Sequence, residues 1–184
     1  MADETAYAMD WPQVDRATRL DCCRLWNRIW PKAGIDSAED RLAAAESLFT
    51  DNAHRWRHHR LHYVTIDGTV VATARGFIAE IRAEGRDFPV QALASVCSAP
   101  DCRGHGWPTR LVRAVWQERP ADIAVCLFQT GVPEFYRRLG AAVCDAAFVN
   151  HADDQEAFWE THAMRYPSEA PWPWRLVDLR GRGW

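Results

Sequence analysis

The segment over residues 98–111, SAPDCRGHGWPTRL, constrains the fold more than any other part of the chain. It joins an apolar run over residues 88–98 to a stretch with apolar residues at helical spacing, which predicts a strand, a tight loop and a helix. Gly104 and Gly106 let backbone N–H groups approach an anion closely, and a helix N-terminus adds unpaired donors. Arg103 supplies a forked, charged donor beside them. A loop of this kind is suited to holding a pyrophosphate.

A second motif, PEFYRRLG, follows over residues 133–140. Together the two segments resemble the GNAT superfamily of acyl-CoA N-acyltransferases, over about residues 60–146. Arg103 and Gly106 match that family's phosphate-loop pattern, Arg/Gln-x-x-Gly-x-Gly/Ala, and the second segment matches its short Phe-Tyr helix ending in Leu-Gly. Pro108 departs from the pattern, because it stands where the final small residue usually lies and has no N–H to donate. Proline is nevertheless well tolerated in the first turn of a helix.

The length and composition are typical of an enzyme domain. A chain of 184 residues can form one sizeable core, so we predict a single domain over residues 1–184, with its core at about 60–146 and a C-terminal tail at about 167–184. A net charge of −3 gives no basic surface for nucleic acid or for an anionic membrane.

The cysteines and the apolar runs indicate the cellular compartment of the protein. The six cysteines show neither CxxC pairing nor metal-ligand spacing, which favours reduced core thiols. Neither a signal-peptide h-region nor a run of membrane-spanning length is present. We therefore predict a cytoplasmic protein.

Local signals predict the order helix, helix, three strands, helix, strand, helix, strand. The first helix is closed by Pro31, and the second begins at Ser37 as N-cap, with Asp40 in place of the glutamate of a full capping box. Asp67-Gly68 predicts a hairpin turn. The predicted bounds are about 14–30 and 37–50 for these helices, and 61–66, 69–81, 88–98 and 123–128 for the strands.

The resemblance implies an α/β fold: a GNAT-like mixed, largely antiparallel sheet with splayed central parallel strands, flanked by helices. The splayed strands would be residues 88–98 and 122–128, and acyl-CoA would enter between them. Gln129 stands where relatives often place an asparagine that reaches the pantetheine. The resemblance assigns the pantetheine amides to the backbone of Val96, Cys97 and Ser98, and the pyrophosphate to Arg103, Gly104, His105, Gly106, Trp107 and Thr109.

Transfer of an acyl group to an amine requires oxyanion stabilisation and a proton for the departing thiolate. Tyr136 is the candidate acid, because a tyrosine's reference pKa of about 10 lies above the value of about 8.5 for a thiol. The tyrosine at this position often has that role in the resembling family. The alternative is a core tyrosine with a satisfied hydroxyl. Backbone N–H groups near Val96 or Cys97 are candidate oxyanion donors.

No residue is an obvious candidate for the general base. Many relatives carry a glutamate or aspartate on the strand before the loop, whereas this strand has no carboxylate after Asp87. The alternatives are a bound water, Glu80, Glu84 or a carboxylate of the C-terminal tail.

The tail, PWPWRLVDLRGRGW over residues 171–184, resembles that of the GNAT branch containing aminoglycoside 2′-N-acetyltransferases and nodulation acyltransferases. By that resemblance Asp178 and Trp184, with its terminal carboxylate, would face an amino-sugar substrate, and Glu80 is a further candidate for substrate binding. The alternative is an edge strand over residues 176–179 followed by a frayed glycine-rich end.

Four histidines lie between His54 and His62, and they include two i, i+4 pairs that would suit a metal if the segment were helical. No carboxylate or thiol completes such a set, and the interleaved arginines would repel a cation. We therefore expect a solvated basic rim and no metal site.

These features together predict an N-acetyltransferase that moves an acetyl group from acetyl-CoA directly to a primary amine of a small-molecule acceptor in a ternary complex. The implied partners are acetyl-CoA and a small amine, with neither nucleic acid nor membrane, and a homodimer is left open. Two alternatives remain. One is a catalytically degenerate acyl-CoA-binding module, favoured by Pro108 and the missing carboxylate. The other is a long-chain N-acyltransferase whose tryptophans line an acyl groove.

Overall fold

The computed structural model of the protein describes residues 3–54, 56–152, 156–181 and 183–184. Its α-helices are α1 Arg16–Ile29, α2 Ala38–Asp51, α3 Trp107–Gln117 and α4 Pro133–Arg137. Its strands are β1 Glu4–Asp10, β2 Trp56–Ile66, β3 Thr69–Ala83, β4 Arg86–Ser98, β5 Cys126–Thr130, β6 Ala142–Val143, β7 Ala147–Val149, β8 His162–Tyr166 and β9 Leu176–Asp178.

The nine strands form one sheet. Its order is β1-β2-β3-β4-β5-β8-β6, and β9 pairs with both β3 and β7. Strands β4 and β5 are parallel, with register pairs Gln91↔Cys126 and Ala92↔Leu127. The parallel pairing ends at Ala92 and Leu127, although β4 and β5 both continue beyond these residues. The predicted mixed, largely antiparallel sheet with a central parallel pair and flanking helices is confirmed.

The chain divides into two compact units, each made of two segments. The first contains Met1–Phe77 and Ser95–Gln117, and the second contains Ile78–Ala94 and Glu118–Trp184. Strands β3 and β4 each contribute residues to both units. The single domain over residues 1–184 stays a prediction.

Capping side chains fix where the two long helices of the first unit begin. Asp15 accepts a hydrogen bond from the Thr18 N–H at 2.9 Å and so caps α1. Ser37 and Asp40 form a reciprocal capping box at α2, which shows that the shorter aspartate replaces the usual glutamate here. Both helices lie close to their predicted positions.

Helix α3 packs closely against β3 at one glycine. A Cβ built on Gly76 would lie 2.7 Å from the Cγ1 atom of Val115. Real Cβ atoms almost never approach another atom so closely, so α3 can pack this near to β3 only because residue 76 has no side chain. The buried face of α3 is apolar, as its spacing predicted.

The histidine-rich segment is a strand, which corrects the expectation of a solvated rim for two of its histidines. From Trp56 onward it forms β2, and β2 pairs antiparallel with β1, a strand that the sequence reading missed. His62 is buried, and His59 stacks on Phe49 with ring centroids 3.6 Å apart. The solvated rim is therefore wrong for these two histidines, because β2 turns them into the protein. The described residues contain no group of three side chains that could hold a metal ion.

The C-terminal tail is packed in its described part. Strand β9 pairs with β3 and β7, so it is not an edge strand. The Gly183 N–H donates to the Ala157 carbonyl at 2.7 Å, and Trp184 is buried. The alternative of a frayed end is therefore wrong for residues 183 and 184.

All six cysteines are free thiols and five are buried, as expected for reduced core residues. None of the described helices has the length and apolarity to cross a bilayer.

Candidate functional site

The predicted phosphate loop joins β4 to α3 in the first unit. Gly104 and Gly106 adopt φ values of +90° and +73°, a left-handed conformation that favours glycine, and no atom lies within 4 Å of a Cβ built at either position. The first helical bond runs from the Arg110 N–H to the Gly106 carbonyl. The loop therefore leaves open space beside its backbone, and the exposed Arg103 stands at its start. These residues fit a diphosphate.

Trp107 anchors the helical end of this loop. Its side chain is 1% exposed, whereas the preceding residues from Arg103 to Gly106 are exposed. The exposed His105 stacks on the Trp107 ring with centroids 4.5 Å apart. Pro108 is the second residue of α3, where a missing N–H leaves no intrahelical bond unmade, and Thr109 is half-buried beside it.

A feature that the sequence reading missed lies just before the loop. Ser95 adopts φ 52° within β4, an uncommon conformation for a serine and typical of a bulge. The Thr73 hydroxyl donates to the Ser95 carbonyl at 2.8 Å, and the Arg75 Nε donates to the Ser95 Oγ at 3.1 Å. The Trp26 Nε1 donates to Thr73 in turn. The half-buried Val96 and Ser98 and the buried Cys97 follow this bulge directly.

Arg75 is a cation in an apolar setting. Its guanidinium lies over the Trp26 ring at 4.7 Å and over the Phe49 ring at 5.4 Å. Burial lowers the pKa of Arg75 to about 10, so it remains charged at neutral pH. Burial raises the pKa of the Cys97 thiol to about 11 despite hydrogen bonding to Thr73. Cys97 is therefore a protonated thiol and a poor nucleophile.

Tyr136 belongs to α4 in the second unit. It is 5% exposed, and its ring contacts Phe128 and Phe135 with centroid distances of 4.6 and 4.8 Å. The helix starts at Pro133, which suits a first helical position. The chain turns away at Gly140, with φ +95°. The short Phe-Tyr helix is present as predicted, with Leu139 and Gly140 in the turn that follows it. The catalytic role of Tyr136 stays a prediction.

Both polar atoms of the Gln129 side chain are hydrogen-bonded within the second unit. Its Oε1 accepts from the Trp159 N–H at 3.0 Å and from the Glu160 N–H at 2.9 Å. Its Nε2 donates to the main-chain oxygen of Trp184 at 2.9 Å, and the Trp184 indole donates to the Leu127 carbonyl at 2.9 Å. A contact from Gln129 to pantetheine stays a prediction.

Asp178 and Trp184 have different partners. The Asp178 carboxylate accepts from the Arg180 N–H at 2.7 Å and lies 3.2 Å from the His151 Nδ1. Burial acts to raise the pKa of Asp178, but hydrogen bonds from Arg180 and His151 outweigh it and hold the pKa below its usual value. Trp184 bonds instead to Leu127 and Gln129. Their joint role toward a substrate stays a prediction.

The carboxylates considered as bases lie on β3 and around its turn. Glu80 is half-buried in β3, and Glu84 is exposed with φ 50° in the turn to β4. Asp87 accepts from the Arg82 Nε at 2.8 Å, and this bond lowers its pKa. Strand β4 carries no carboxylate beyond Asp87, so the base has no assigned residue.

Comparisons with known proteins identify the family. A model of the acetyltransferase (GNAT) domain matches residues 17–144. Among proteins with curated descriptions, none matches significantly. The chain resembles a GNAT family N-acetyltransferase from Escherichia coli, solved in complex with CoA, with 16% identity, a TM-score of 0.60, and 97% of this chain and 91% of that chain covered.

Two further solved structures have the same fold. An acyl-CoA N-acyltransferase from Pseudomonas aeruginosa shares 15% identity at a TM-score of 0.56, with 89% of this chain and 99% of that chain covered. A GCN5-related N-acetyltransferase from Kribbella flavida shares 24% identity at a TM-score of 0.55, with 77% of this chain covered. This chain spans 33% of that relative's length. Because the family model covers well over half of the sequence, the chain belongs to the GNAT family of acetyltransferases.

Proposed function

We propose that this protein is an acetyl-CoA-dependent N-acetyltransferase that acts on a primary amine of a small molecule. The observation that carries the proposal is the loop before α3, where two left-handed glycines leave open space beside backbone donors. Such a loop at a helix N-terminus binds an anionic group through N–H donors and the helix dipole. The similar Escherichia coli protein was solved with CoA.

In this proposal the two ends of the donor are held by different parts of the first unit. Arg103 and the backbone of residues 104–109 bind the diphosphate, and His105 and Thr109 border it. Backbone groups of Val96, Cys97 and Ser98 pair with the pantetheine amides. An N–H of Val96 or Cys97 donates to the oxyanion that develops during transfer.

The transfer itself forms a bond from the amine nitrogen to the acetyl carbon and breaks the carbon–sulfur bond. Tyr136 gives its proton to the leaving thiolate, and the amine loses a proton to water, Glu80 or another carboxylate. Cys97 supports direct transfer rather than an acetyl-enzyme, because burial keeps its thiol protonated. A small amino-sugar or polyamine bound near Asp178 and Trp184 is the acceptor that the tail favours.

A second candidate is a module that binds acyl-CoA without catalysis. Pro108 removes one loop donor, and β4 lacks a carboxylate where a base would be expected. The missing carboxylate would lower catalysis without weakening CoA binding, and the remaining loop donors would still hold the diphosphate.

The deciding experiment is an assay of thiol release. The purified protein is incubated with acetyl-CoA and a panel of primary amines, and CoA binding is measured separately by calorimetry. Turnover together with CoA binding supports the enzyme. Binding without turnover supports the module, and faster reaction with long acyl-CoA supports a long-chain N-acyltransferase. Absence of CoA binding at about millimolar ligand overturns the proposal.

A further inference from the structure

Strands β4 and β5 stop pairing at a defined point within the second unit. The Gln91 N–H donates to the Val125 carbonyl at 3.0 Å, and the parallel register ends at Ala92↔Leu127. Backbone carbonyls of alternate residues in extended chain point to the same side. The Leu127 carbonyl therefore faces β4, as the Val125 carbonyl does, and it belongs to the last pair of the two strands.

The Trp184 side chain lies at this last pair. Its indole N–H donates to the Leu127 carbonyl at 2.9 Å, and the residue is 8% exposed. Because that carbonyl faces β4, the indole lies on the β4 side of β5. It therefore occupies the place where the pairing of the two strands ends.

Further contacts hold Trp184 in this position. The Gln129 Nε2 donates to the main-chain oxygen of Trp184 at 2.9 Å, and the Gly183 N–H donates to the Ala157 carbonyl at 2.7 Å. The Phe158 ring meets the indole edge to face, with centroids 6.1 Å apart. Main chain and ring are thus both fixed, which makes the indole a preorganised wall.

The proposed donor would point its acyl end toward this wall. In the proposed function its diphosphate binds the loop that follows β4, and its pantetheine pairs with residues 96–98. The donor therefore runs from the loop back along β4, against the direction of the strand. In that direction β4 continues to Ala92 of the last pair. An acyl chain extended along β4 would therefore meet Trp184.

We propose that Trp184 limits the acyl donor to short chains, because its indole closes the space between β4 and β5 beyond the acetyl group. An acetyl group has one carbon beyond its carbonyl and leaves the indole in place. Each further methylene has to displace the ring or bend away from it, and overpacking a filled site is unfavourable. This inference rests on the proposed function, but acyl-CoA binding tests it without an acceptor amine.

A wall and an acyl groove make opposite predictions. A groove lined by tryptophans favours long acyl groups, because each methylene buried against a ring adds affinity. A wall disfavours them. The two roles of Trp184 therefore predict opposite orders of affinity for acetyl-CoA and hexanoyl-CoA.

The test compares these two ligands, which differ by four methylene groups. Calorimetry without an amine should show acetyl-CoA binding at least about tenfold more tightly, as expected when a closed pocket rejects added methylenes. Equal affinities, or tighter binding of hexanoyl-CoA, would overturn the proposal.

A variant assigns the preference to the indole. Trp184→Ala opens the space that the ring fills, so the ratio of the two dissociation constants should shift at least about tenfold in favour of hexanoyl-CoA. A purely structural role for Trp184 would weaken both ligands alike, and an unchanged ratio overturns the proposal. The control is Trp174→Ala, which removes a half-buried tryptophan that contacts Phe88 and should keep the wild-type ratio.

Circular dichroism checks that the variants are folded. Where Trp184→Ala does not fold, Trp184→Phe keeps a smaller ring at the same position. It should shift the ratio for butanoyl-CoA and acetyl-CoA about threefold in favour of butanoyl-CoA. No shift in the folded phenylalanine variant contradicts the wall.

The two proposals fail in different ways. CoA binding without a preference that depends on Trp184 overturns the wall and leaves the proposed function standing. A preference that depends on Trp184, without turnover of any amine in the panel, supports the wall and overturns the proposed catalysis. Absence of binding by CoA and by both acyl-CoA ligands overturns both proposals.

Discussion

The Arg75 Nε donates a hydrogen bond to the Ser95 Oγ at 3.1 Å, which ties β3 to the left-handed bulge of β4. The bond joins a charged donor to a residue whose backbone conformation is uncommon. Thr73 holds the carbonyl of the same serine. Two side chains from β3 therefore hold Ser95 just before Val96 and Cys97.

This contact predicts a measurable coupling between the two residues. Replacing Ser95 by Ala removes the acceptor of a charged, largely buried donor, which costs about 1–3 kcal/mol of unfolding free energy. A double-mutant cycle of Ser95→Ala with Arg75→Met, measured by urea unfolding, should give a coupling of about 1–3 kcal/mol. A coupling indistinguishable from zero would show that the bond does not stabilise the bulge.

The loop glycines permit a matched comparison. Gly106 and Gly34 have φ values of +73° and +75°, and neither has an atom within 4 Å of a built Cβ. Gly106→Ala and Gly34→Ala should each lower the unfolding free energy by about 1 kcal/mol, because both force alanine into left-handed backbone. Only Gly106→Ala should weaken CoA binding, by about tenfold in calorimetry. Equal CoA affinities in both variants would remove the loop from the binding site.

Tyr136 is tested by removing its hydroxyl. Tyr136→Phe should lower turnover about a hundredfold and keep CoA affinity, because only the proton donor is lost. Tyr63→Phe is a suitable control, since both tyrosines are 5% exposed and Tyr63 has no proposed role. A normal rate for Tyr136→Phe in the thiol-release assay would make this tyrosine a core residue.

His59 predicts a pH dependence of stability. Burial, reinforced by the charge of Arg75, lowers its pKa from 6.5 to about 2. Between these values the unfolded chain binds a proton that the folded protein does not. The stability from the neutral imidazole is therefore complete above about pH 6.5 and is lost as the pH falls, by up to about 1.4 kcal/mol per pH unit.

Urea unfolding between about pH 6.5 and 4.5 measures this slope above the range where aspartates with lowered pKa values protonate. His59→Phe should flatten the slope and can retain the stacking on Phe49. His54→Gln, which changes an exposed histidine, should not. A slope that persists in His59→Phe would mean that another group titrates.

The sequence predicted the elements whose causes are local. Asp15 and Ser37 cap their helices through bonds three residues away, and Asp67 and Gly68 both adopt positive φ as the hairpin turn requires. Strand β1 was missed because most of its side chains are exposed and its partner β2 lies about fifty residues away. The histidine segment was misread because its pairing with β1 joins residues far apart in the chain.

The candidate site also contains features with local causes and features that depend on distant residues. The glycines of the loop and the helix with Tyr136 are encoded in short motifs, so they were predicted in place. The bulge at Ser95 depends on Thr73 and Arg75, and the engagement of Gln129 depends on Trp159 and Trp184. Such contacts join residues far apart in the chain, and no local pattern announces them.

Gly76 of β3 can influence the loop before α3 indirectly, because its missing side chain sets how closely α3 packs on the strand. Helix α3 is roughly 16 Å long, and its distance from β3 is set where Val115 meets bare backbone. A methyl group added there would push that end of the helix outward and displace the amides at the opposite end. If the loop binds CoA as proposed, the affinity for the diphosphate would then change through a residue that has no polar group to offer.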